Sequence, residues 1–172
     1  MKTMLRCLIV LILLVPSMLL AQQQQGDLEL GLQGYYSADT EGLFSFGSIQ
    51  GKVGSFFTDN LEIGFFPSLS IVTSPSGFEG ESETTATFGA GAFLTYSFLS
   101  QDATTVPYFG GQYYKSDFSN DEDSGYAGIN AGVKFYFTKK AAFDVSGNYL
   151  FSLNENAEGG LILFSFGISF LF

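Results

Sequence analysis

The sequence has no histidine and no tryptophan, and its one cysteine, Cys7, lies near the N-terminus. Enzymes that activate a nucleophile usually place a histidine or a tuned cysteine in the site. Asp and Glu dyads are still available, but nothing in the sequence pairs them in a recessed pocket. Cys7 precedes the first apolar run, so it is no lipid-attachment site. We therefore expect a protein without enzymatic activity, disulfide or cofactor.

The first 21 residues have the layout of a secretory signal peptide. Lys2 and Arg6 form a positive start, an apolar run extends from Leu8 to Leu20, and Ala21 is a small residue at a plausible cleavage point. The run is shorter than the roughly 20 residues of a membrane-spanning helix, which argues against an anchor. We predict a removed signal peptide at 1–21, a polar leader at 22–26 and one domain at 27–172.

Basic residues are scarce once the signal peptide is removed. The remaining chain has five lysines and 17 acidic residues, which gives it a formal charge of −12. A chain of this charge is repelled by phosphate backbones, so nucleic acid is excluded as a partner.

Hydrophobicity alternates with a period of two through most of the chain, and no stretch keeps a helical period. The segments are 11 to 15 residues long, whereas globular strands usually have about 5–6 and tilted membrane strands need about 9–11. The pattern predicts an all-β, transmembrane, eight-stranded antiparallel up-and-down barrel. Its predicted strands are 27–37, 43–57, 61–73, 85–99, 106–116, 126–137, 141–152 and 161–172.

The connectors alternate in length and charge. Those at 58–60, 100–105 and 138–140 are short, those at 74–85, 117–125 and 153–160 are longer and acidic, and the one at 38–42 is brief. Short turns at one rim and longer loops at the other are typical of outer-membrane barrels. With an even number of strands, both ends of the domain belong at the rim with the short turns.

The two faces of these strands differ in composition. One parity carries large apolar residues, and the other is mostly Gly, Ser, Thr and Asn with few charges. A water-facing surface would be about 25–35% charged, so the small-residue face suits a narrow lumen and the apolar face suits lipid. We also assign five aromatic residues to the lumen, which argues against an open pore: Phe66, Phe93, Phe109, Tyr113 and Tyr136. Pro67 removes a ladder donor in the third strand without changing its parity.

Three stretches carry a resemblance to a known family: FFTDNLEIG at 56–64, VPYFGG at 106–111 and VKFYFTKKAAFDVSGNYLF at 133–151. They resemble turn and strand motifs of the eight-stranded outer membrane protein β-barrel domain family, which includes OmpX and the transmembrane domain of OmpA. The resemblance implies a Gram-negative outer-membrane location, with contacts to lipid and lipopolysaccharide, and no catalytic residues. We expect a monomer.

The final strand resembles the signal that the outer-membrane insertion machinery reads in this family. Its alternating apolar residues end on an aromatic residue: Phe164, Phe166, Ile168, Phe170 and Phe172. The resemblance implies that this machinery is a partner and that Phe172 serves assembly.

Five charged residues fall on the lumen parity. Pairing the predicted strands 126–137 and 141–152 about a turn at Lys139 places Lys134 opposite Asp144. Pairing the first two predicted strands about the connector at 38–42 places Glu29 opposite Lys52. Glu62 falls near the same rim. Because a lone buried charge costs several kcal/mol, we interpret these residues as a structural plug of cross-strand pairs. A selective ion path is the alternative.

The acidic loops invite a calcium interpretation. Aligning Gly125 with the loop glycine of an EF-hand places Ala131 where the closing Glu belongs, so the stretch is no EF-hand. We interpret the loops as solvated, and the alternative is loose divalent cations that bridge their acids to lipopolysaccharide phosphates. The acids are Glu79, Glu81, Glu83, Asp121, Glu122 and Asp123.

The sequence thus predicts a non-enzymatic outer-membrane barrel that serves envelope integrity or surface interaction through its acidic loops. The alternatives are a narrow channel or carrier for small hydrophobic or ionic solutes and, third, a lipid-modifying enzyme.

Overall fold

The protein folds into eight long strands. The structure is a computed structural model, and it describes residues 23–38, 45–75, 82–99, 104–115, 118, 125–154 and 160–172. The strands are β1 (Leu28–Ala38), β2 (Ser45–Phe56), β3 (Leu61–Pro75), β4 (Ser82–Ser97), β5 (Thr105–Lys115), β6 (Tyr126–Thr138), β7 (Ala141–Ser152) and β8 (Gly160–Leu171). Their order and approximate bounds agree with the eight segments predicted from alternation. The described part of the chain contains no helix long and apolar enough to cross a membrane.

The strands close into a barrel. Each strand pairs antiparallel with its neighbours in the sequence, and β8 returns to pair with β1. The predicted up-and-down topology is confirmed. We call the end that holds the turns at 57–60 and 139–140 the turn rim, and the opposite end the loop rim; residues 23–27 and Phe172 lie at the turn rim.

Side chains alternate between a buried lumen and an apolar exterior. Exterior residues such as Leu32, Phe88 and Phe164 are 59%, 71% and 68% exposed, whereas lumen residues such as Phe66 and Phe93 are buried. Soluble monomers rarely expose apolar patches larger than a few hundred Å². An exterior of this kind matches the predicted lipid-facing band.

The predicted orientation of β5 is wrong by one residue. Phe109 and Tyr113 lie on the exterior, while Tyr108 and Tyr114 are buried in the lumen. The stretch VPYFGGQYY carries aromatic residues on both faces, so its alternation does not distinguish inside from outside. Tyr136, in β6, is buried as predicted.

Pro67 interrupts the ladder between β2 and β3 without shifting it. The register is the same on both sides of the interruption, from Ser45↔Thr73 to Phe56↔Glu62, and the two rungs at Pro67 and its neighbour Phe66 are missing. This agrees with the expected local loss of pairing without a bulge. The register does shift elsewhere, between Tyr136 and Thr138 of β6.

The seam between β1 and β8 is short. Its ladder has six rungs, from Glu29↔Leu171 to Gly34↔Phe166. One further pair closes the turn rim, where the Leu28 amide donates to the Phe172 carbonyl at 3.2 Å and the Phe172 amide donates to the Leu28 carbonyl at 2.9 Å. The barrel is therefore closed by fewer rungs at this seam than along the hairpin between β3 and β4.

The segment before β1 packs against the turn rim. Gln23 is 3% exposed; its side-chain amide donates to the Asp59 carbonyl at 2.9 Å, and its Oε1 accepts from the Tyr136 hydroxyl at 3.2 Å. The Gly26 amide donates to the Phe56 carbonyl at 2.8 Å. Residues 22–26 are predicted to be a polar leader, whereas in the structure Gln23 is buried and joins the turn at 57–60 to Tyr136 in the lumen.

Candidate functional site

Four charged side chains meet inside the barrel, and we call them the lumen ion cluster: Glu29, Lys52, Glu62 and Lys134. The Lys52 ammonium lies 2.9 Å from Glu29 Oε1 and 2.9 Å from Glu62 Oε2. The Lys134 ammonium lies 2.5 Å from Glu29 Oε2 and 3.4 Å from Glu62 Oε2. Both carboxylates and Lys134 are completely buried. Each lysine therefore bridges both carboxylates, which offsets the cost of placing these charges away from water.

Lys134 and Asp144 lie directly opposite each other in the ladder, as the sequence predicts. The predicted ion pair is nevertheless wrong, since none of the ion pairs among the described residues joins these two side chains. Asp144 instead accepts hydrogen bonds from the Tyr108 hydroxyl at 2.7 Å and the Gln33 amide at 3.0 Å. The lumen is narrow enough for the long Lys134 side chain to reach carboxylates on β1 and β3.

Glu29 and Lys52 form the expected contact in a different register. Glu29 lies opposite Gly54, and Lys52 lies opposite Gly31, so the pair is diagonal and not face to face. The predicted register is wrong by two residues because the centre of the first hairpin lies one residue later than expected. The flexible lysine stem spans the difference.

Gly54 makes room for the cluster. A Cβ at this position would overlap with the Glu62 carboxyl group and lie 2.9 Å from its Cδ. Glu62 Oε1 points toward this glycine and has no hydrogen-bond partner among the described residues. A side chain at position 54 would therefore displace Glu62 from the two lysines.

Apolar layers close the lumen on both sides of the ion cluster. On the turn-rim side, Phe56 and Tyr136 pack with small and aliphatic neighbours, and on the loop-rim side the rings of Phe66, Phe93 and Tyr114 pack together. The ring centroid of Phe66 lies 6.5 Å from the ring centroid of Phe93 and 5.8 Å from that of Tyr114. The lumen is thus blocked by side chains at two levels.

A small polar chamber lies beside the ion cluster and the aromatic layer, and Lys52, Phe66 and Phe93 are among the residues that line it. Its volume is about 30 Å³, and side-chain amides supply most of its polar lining: Gln33, Gln50, Gln112, Asn130 and Asn148. A volume of this size holds about two water molecules. The chamber is too small for an organic solute.

The predicted assembly residues all lie on the exterior of β8. Phe164, Phe166, Ile168, Phe170 and Phe172 are 45–68% exposed. Of the acidic loop residues, Glu83 lies exposed near the start of β4, while Glu79, Glu81, Asp121, Glu122 and Asp123 lie outside the described residues. The described residues contain no group of three or more side chains arranged to hold a metal ion.

Sequence reasoning missed three residues that complete the site. Placing Phe109 in the lumen implies an exterior position for Tyr108, and Gln23 falls within the predicted leader. Gln33 has the lumen parity, and its parity alone was a sufficient signal for a place beside the charged residues. The hydrogen bonds of Tyr108 and Gln33 to Asp144 explain how that carboxylate is held without a lysine.

A closed eight-stranded antiparallel barrel with an apolar exterior and a filled lumen is the fold of small outer-membrane barrels. The sequence matches no protein-family model and no curated protein. Among solved structures, it is similar to the N-terminal β-barrel domain of Pseudomonas aeruginosa OprF, with a TM-score of 0.56, 21% identity, and coverage of 87% of this chain and 100% of that one.

Two further solved structures share this fold. OprG from Pseudomonas aeruginosa has a TM-score of 0.54 and 13% identity, covering 89% of this chain and 99% of that one. Neisserial surface protein A has a TM-score of 0.53 and 16% identity, covering 85% of this chain and 96% of that one. At these identities the likeness shows the fold, which agrees with the family resemblance of the sequence motifs.

Proposed function

We propose that this protein is a non-enzymatic, monomeric barrel of the Gram-negative outer membrane, and that it serves envelope integrity or surface interaction through its acidic outer loops. The observation that carries the proposal is the plugged lumen, in which the ion cluster lies between two apolar layers. Because the lumen is filled, the protein would act through its loops and outer surface and not through its interior.

The exterior supports the membrane location. Large apolar side chains cover the outside of the strands, and lipid removes the cost that water would impose on them. Export through the predicted signal peptide at 1–21 and contact with lipid and lipopolysaccharide follow from this location. The acidic loops at the loop rim then face the outside of the cell, where divalent cations could link them to lipopolysaccharide phosphates.

Planar-bilayer recordings test the proposal against the channel alternative. We expect no steady openings of porin size from the refolded protein, because two layers of side chains block the lumen. Matched variants of β3 locate any current that does occur: Phe66→Ala shortens a lumen side chain, and Phe65→Ala shortens an exterior one. Steady openings that change with Phe66→Ala and not with Phe65→Ala would replace the proposal with a channel.

Phe172 is the last residue of the proposed assembly signal. Deleting Phe172 should leave the barrel unassembled in cells, while the purified chain still refolds in detergent. The deletion removes one backbone pair with Leu28 from the seam and leaves the six-rung ladder intact, so its effect on stability should be small. Surface levels in cells and heat-modifiable gel migration of the refolded chain measure the two effects separately.

Phe57→Ala is the matched control for this deletion. Phe57 is 67% exposed at the same rim, close to the 63% of Phe172, but it lies outside the final strand. Its replacement should leave surface levels unchanged. Normal surface levels of the Phe172 deletion would contradict the role of this residue as a signal.

A further inference from the structure

A cleft lies at the turn rim, where the start of β1, the turn after β6 and the end of β8 meet, and we call it the rim cleft. Its volume is about 270 Å³, and the described residues that line it are Gln24, Asp27, Lys139, Lys140, Leu171 and Phe172. At about 30 Å³ per water molecule, this volume corresponds to roughly nine waters. The rim cleft therefore has room for a small polar group, which the chamber inside the barrel does not.

Two lysines supply positive charge to the rim cleft. Lys139 and Lys140 form the turn between β6 and β7, and both are exposed. The ion pairs among the described residues all belong to the lumen ion cluster, so neither of these ammonium groups has an acidic partner there. Lys140 makes its hydrogen bonds through its backbone, to the Thr138 hydroxyl and from the Leu171 amide. Both ammonium groups are thus free to bind an anion.

Asp27 supplies a carboxylate to the same cleft. Its Oδ2 accepts a hydrogen bond from the Gln24 backbone amide at 2.9 Å, and in the described part of the chain its Oδ1 has no donor. Asp27 forms no ion pair with Lys139 or Lys140, although all three residues line one cleft. The rim cleft therefore presents positive and negative groups that are held apart and do not neutralise each other.

The rim cleft borders the lipid-facing exterior. Phe172 lines it and is exposed, and the exposed Phe137 and Phe170 lie at the same end of the exterior face. Aromatic residues at the end of an apolar band are typical of the membrane–water interface, and lysine there extends its charge into water. A molecule in the rim cleft would therefore contact water at one end and hydrocarbon at the other.

We propose that the rim cleft binds a zwitterionic phospholipid whose headgroup carries a phosphate and a primary ammonium group, as phosphatidylethanolamine does. The phosphate accepts hydrogen bonds from Lys139 and Lys140, and the lipid ammonium group donates to Oδ1 of Asp27. The acyl chains lie along Phe172 and the exterior of β8. The inference rests on the proposed function only in placing the turn rim at a membrane surface.

The separated charges select among lipid headgroups. Phosphatidylglycerol has the phosphate but no ammonium group, so it leaves Asp27 without a cationic partner. Phosphatidylcholine has a cation without N–H groups, so it cannot donate a hydrogen bond to the carboxylate. Only a headgroup with both a phosphate and an N–H donor satisfies the lysines and Asp27 together, and specificity follows from this difference.

The test measures lipid binding to the full refolded chain in detergent micelles by native mass spectrometry. The probes are phosphatidylethanolamine, phosphatidylglycerol and phosphatidylcholine with identical acyl chains, so that only the headgroup differs. We expect the first of these to bind about tenfold more tightly than the other two, because it alone makes the charge-assisted hydrogen bond to Asp27.

Two aspartates at the turn rim provide a matched pair of variants. Asp27→Asn removes the charge from the rim cleft, whereas Asp59→Asn removes it from a residue that does not line the cleft but also accepts a backbone amide, that of Gln25, at 2.8 Å. Asp27→Asn should abolish the preference for phosphatidylethanolamine over phosphatidylcholine. Asp59→Asn should leave this preference unchanged.

Lysine variants test the phosphate contact. Replacing both Lys139 and Lys140 with glutamine should weaken the binding of all three phospholipids by about tenfold, because each of them carries the phosphate. Lys115→Gln is the control, since Lys115 ends β5 at the loop rim. Heat-modifiable gel migration verifies that each variant is folded.

Three outcomes would overturn the inference. Equal affinities for the three lipids would mean that lipid contacts the barrel without a headgroup site, and tighter binding of phosphatidylglycerol would mean attraction by the lysines alone. Equal effects of Asp27→Asn and Asp59→Asn would place the ammonium group elsewhere. All three are independent of bilayer conductance, so the proposed function stands or fails separately.

Discussion

Replacing Lys134 with methionine should destabilise the barrel by about 3–5 kcal/mol, the usual cost of leaving a buried charge without its partner. Lys134 bridges Glu29 and Glu62, and all three side chains are completely buried. After the replacement, two buried carboxylates would share Lys52 alone. The free energy of unfolding in urea, measured in detergent micelles, is the readout.

The matched control is Lys139→Met, which removes an exposed lysine from the turn after β6. Its effect should be within about 0.5 kcal/mol of zero. Combining Lys134→Met with Glu29→Gln removes one charge of each sign, so the double variant should be less destabilised than the two single effects predict together. Simple additivity would show that the two residues do not interact.

A second double-mutant cycle tests whether Lys134 contacts the residue that lies opposite it in the ladder. Lys134 and Asp144 face each other in the ladder, yet Asp144 is held by Tyr108 and Gln33. We expect a smaller coupling between Lys134→Met and Asp144→Leu than between Lys134→Met and Glu29→Gln. The opposite order would mean that Lys134 binds the residue across the ladder, as the sequence alone predicts.

Gly54→Ala should destabilise the barrel by disturbing the lumen ion cluster. Its Cβ would overlap with the Glu62 carboxyl group and force it away from Lys52 and Lys134. Overpacking of this kind costs about 1–3 kcal/mol, and the disturbed ion pairs add to it. Urea unfolding in micelles again measures the loss.

Gly51→Ala is the control in the same strand. Its Cβ would point to the exterior and lie 3.6 Å from Pro67 Cγ, which is an ordinary contact. It should leave the free energy of unfolding nearly unchanged. Because the overlap requires the Glu62 carboxyl group, Gly54→Ala should cost less in a Glu62→Ala background than in the unmodified protein. If Gly54→Ala is neutral, Glu62 does not occupy the space above Gly54.

The strands and their faces were predictable from the sequence because both depend on a period of two along the chain. The period does not distinguish the two faces of β5, because this strand carries aromatic rings on both: Tyr108, Phe109, Tyr113 and Tyr114. The lumen position of Tyr108, which donates a hydrogen bond to Asp144, is therefore not predictable from alternation.

The contacts of the ion cluster were less predictable than its members. Pairing rules describe adjacent strands, so they find Asp144 opposite Lys134 but not Glu29, which lies on β1 across the lumen. In a narrow barrel a lysine stem reaches strands that share no ladder with its own. The buried position of Gln23 was hidden for a related reason, because a polar run before the first strand carries no period that marks it as structural.

The short seam also has a consequence for the order in which the barrel folds. Hairpins such as β6–β7 close loops of a few residues. The rung Glu29↔Leu171 of the seam joins positions that are 142 residues apart in the chain. From an unstructured chain, closing the longer loop costs roughly 3 kcal/mol more. Six rungs and the Leu28–Phe172 pair must offset that cost. Closure should therefore be the final kinetic step, reached only after the hairpins have curved the sheet and brought its two edges together.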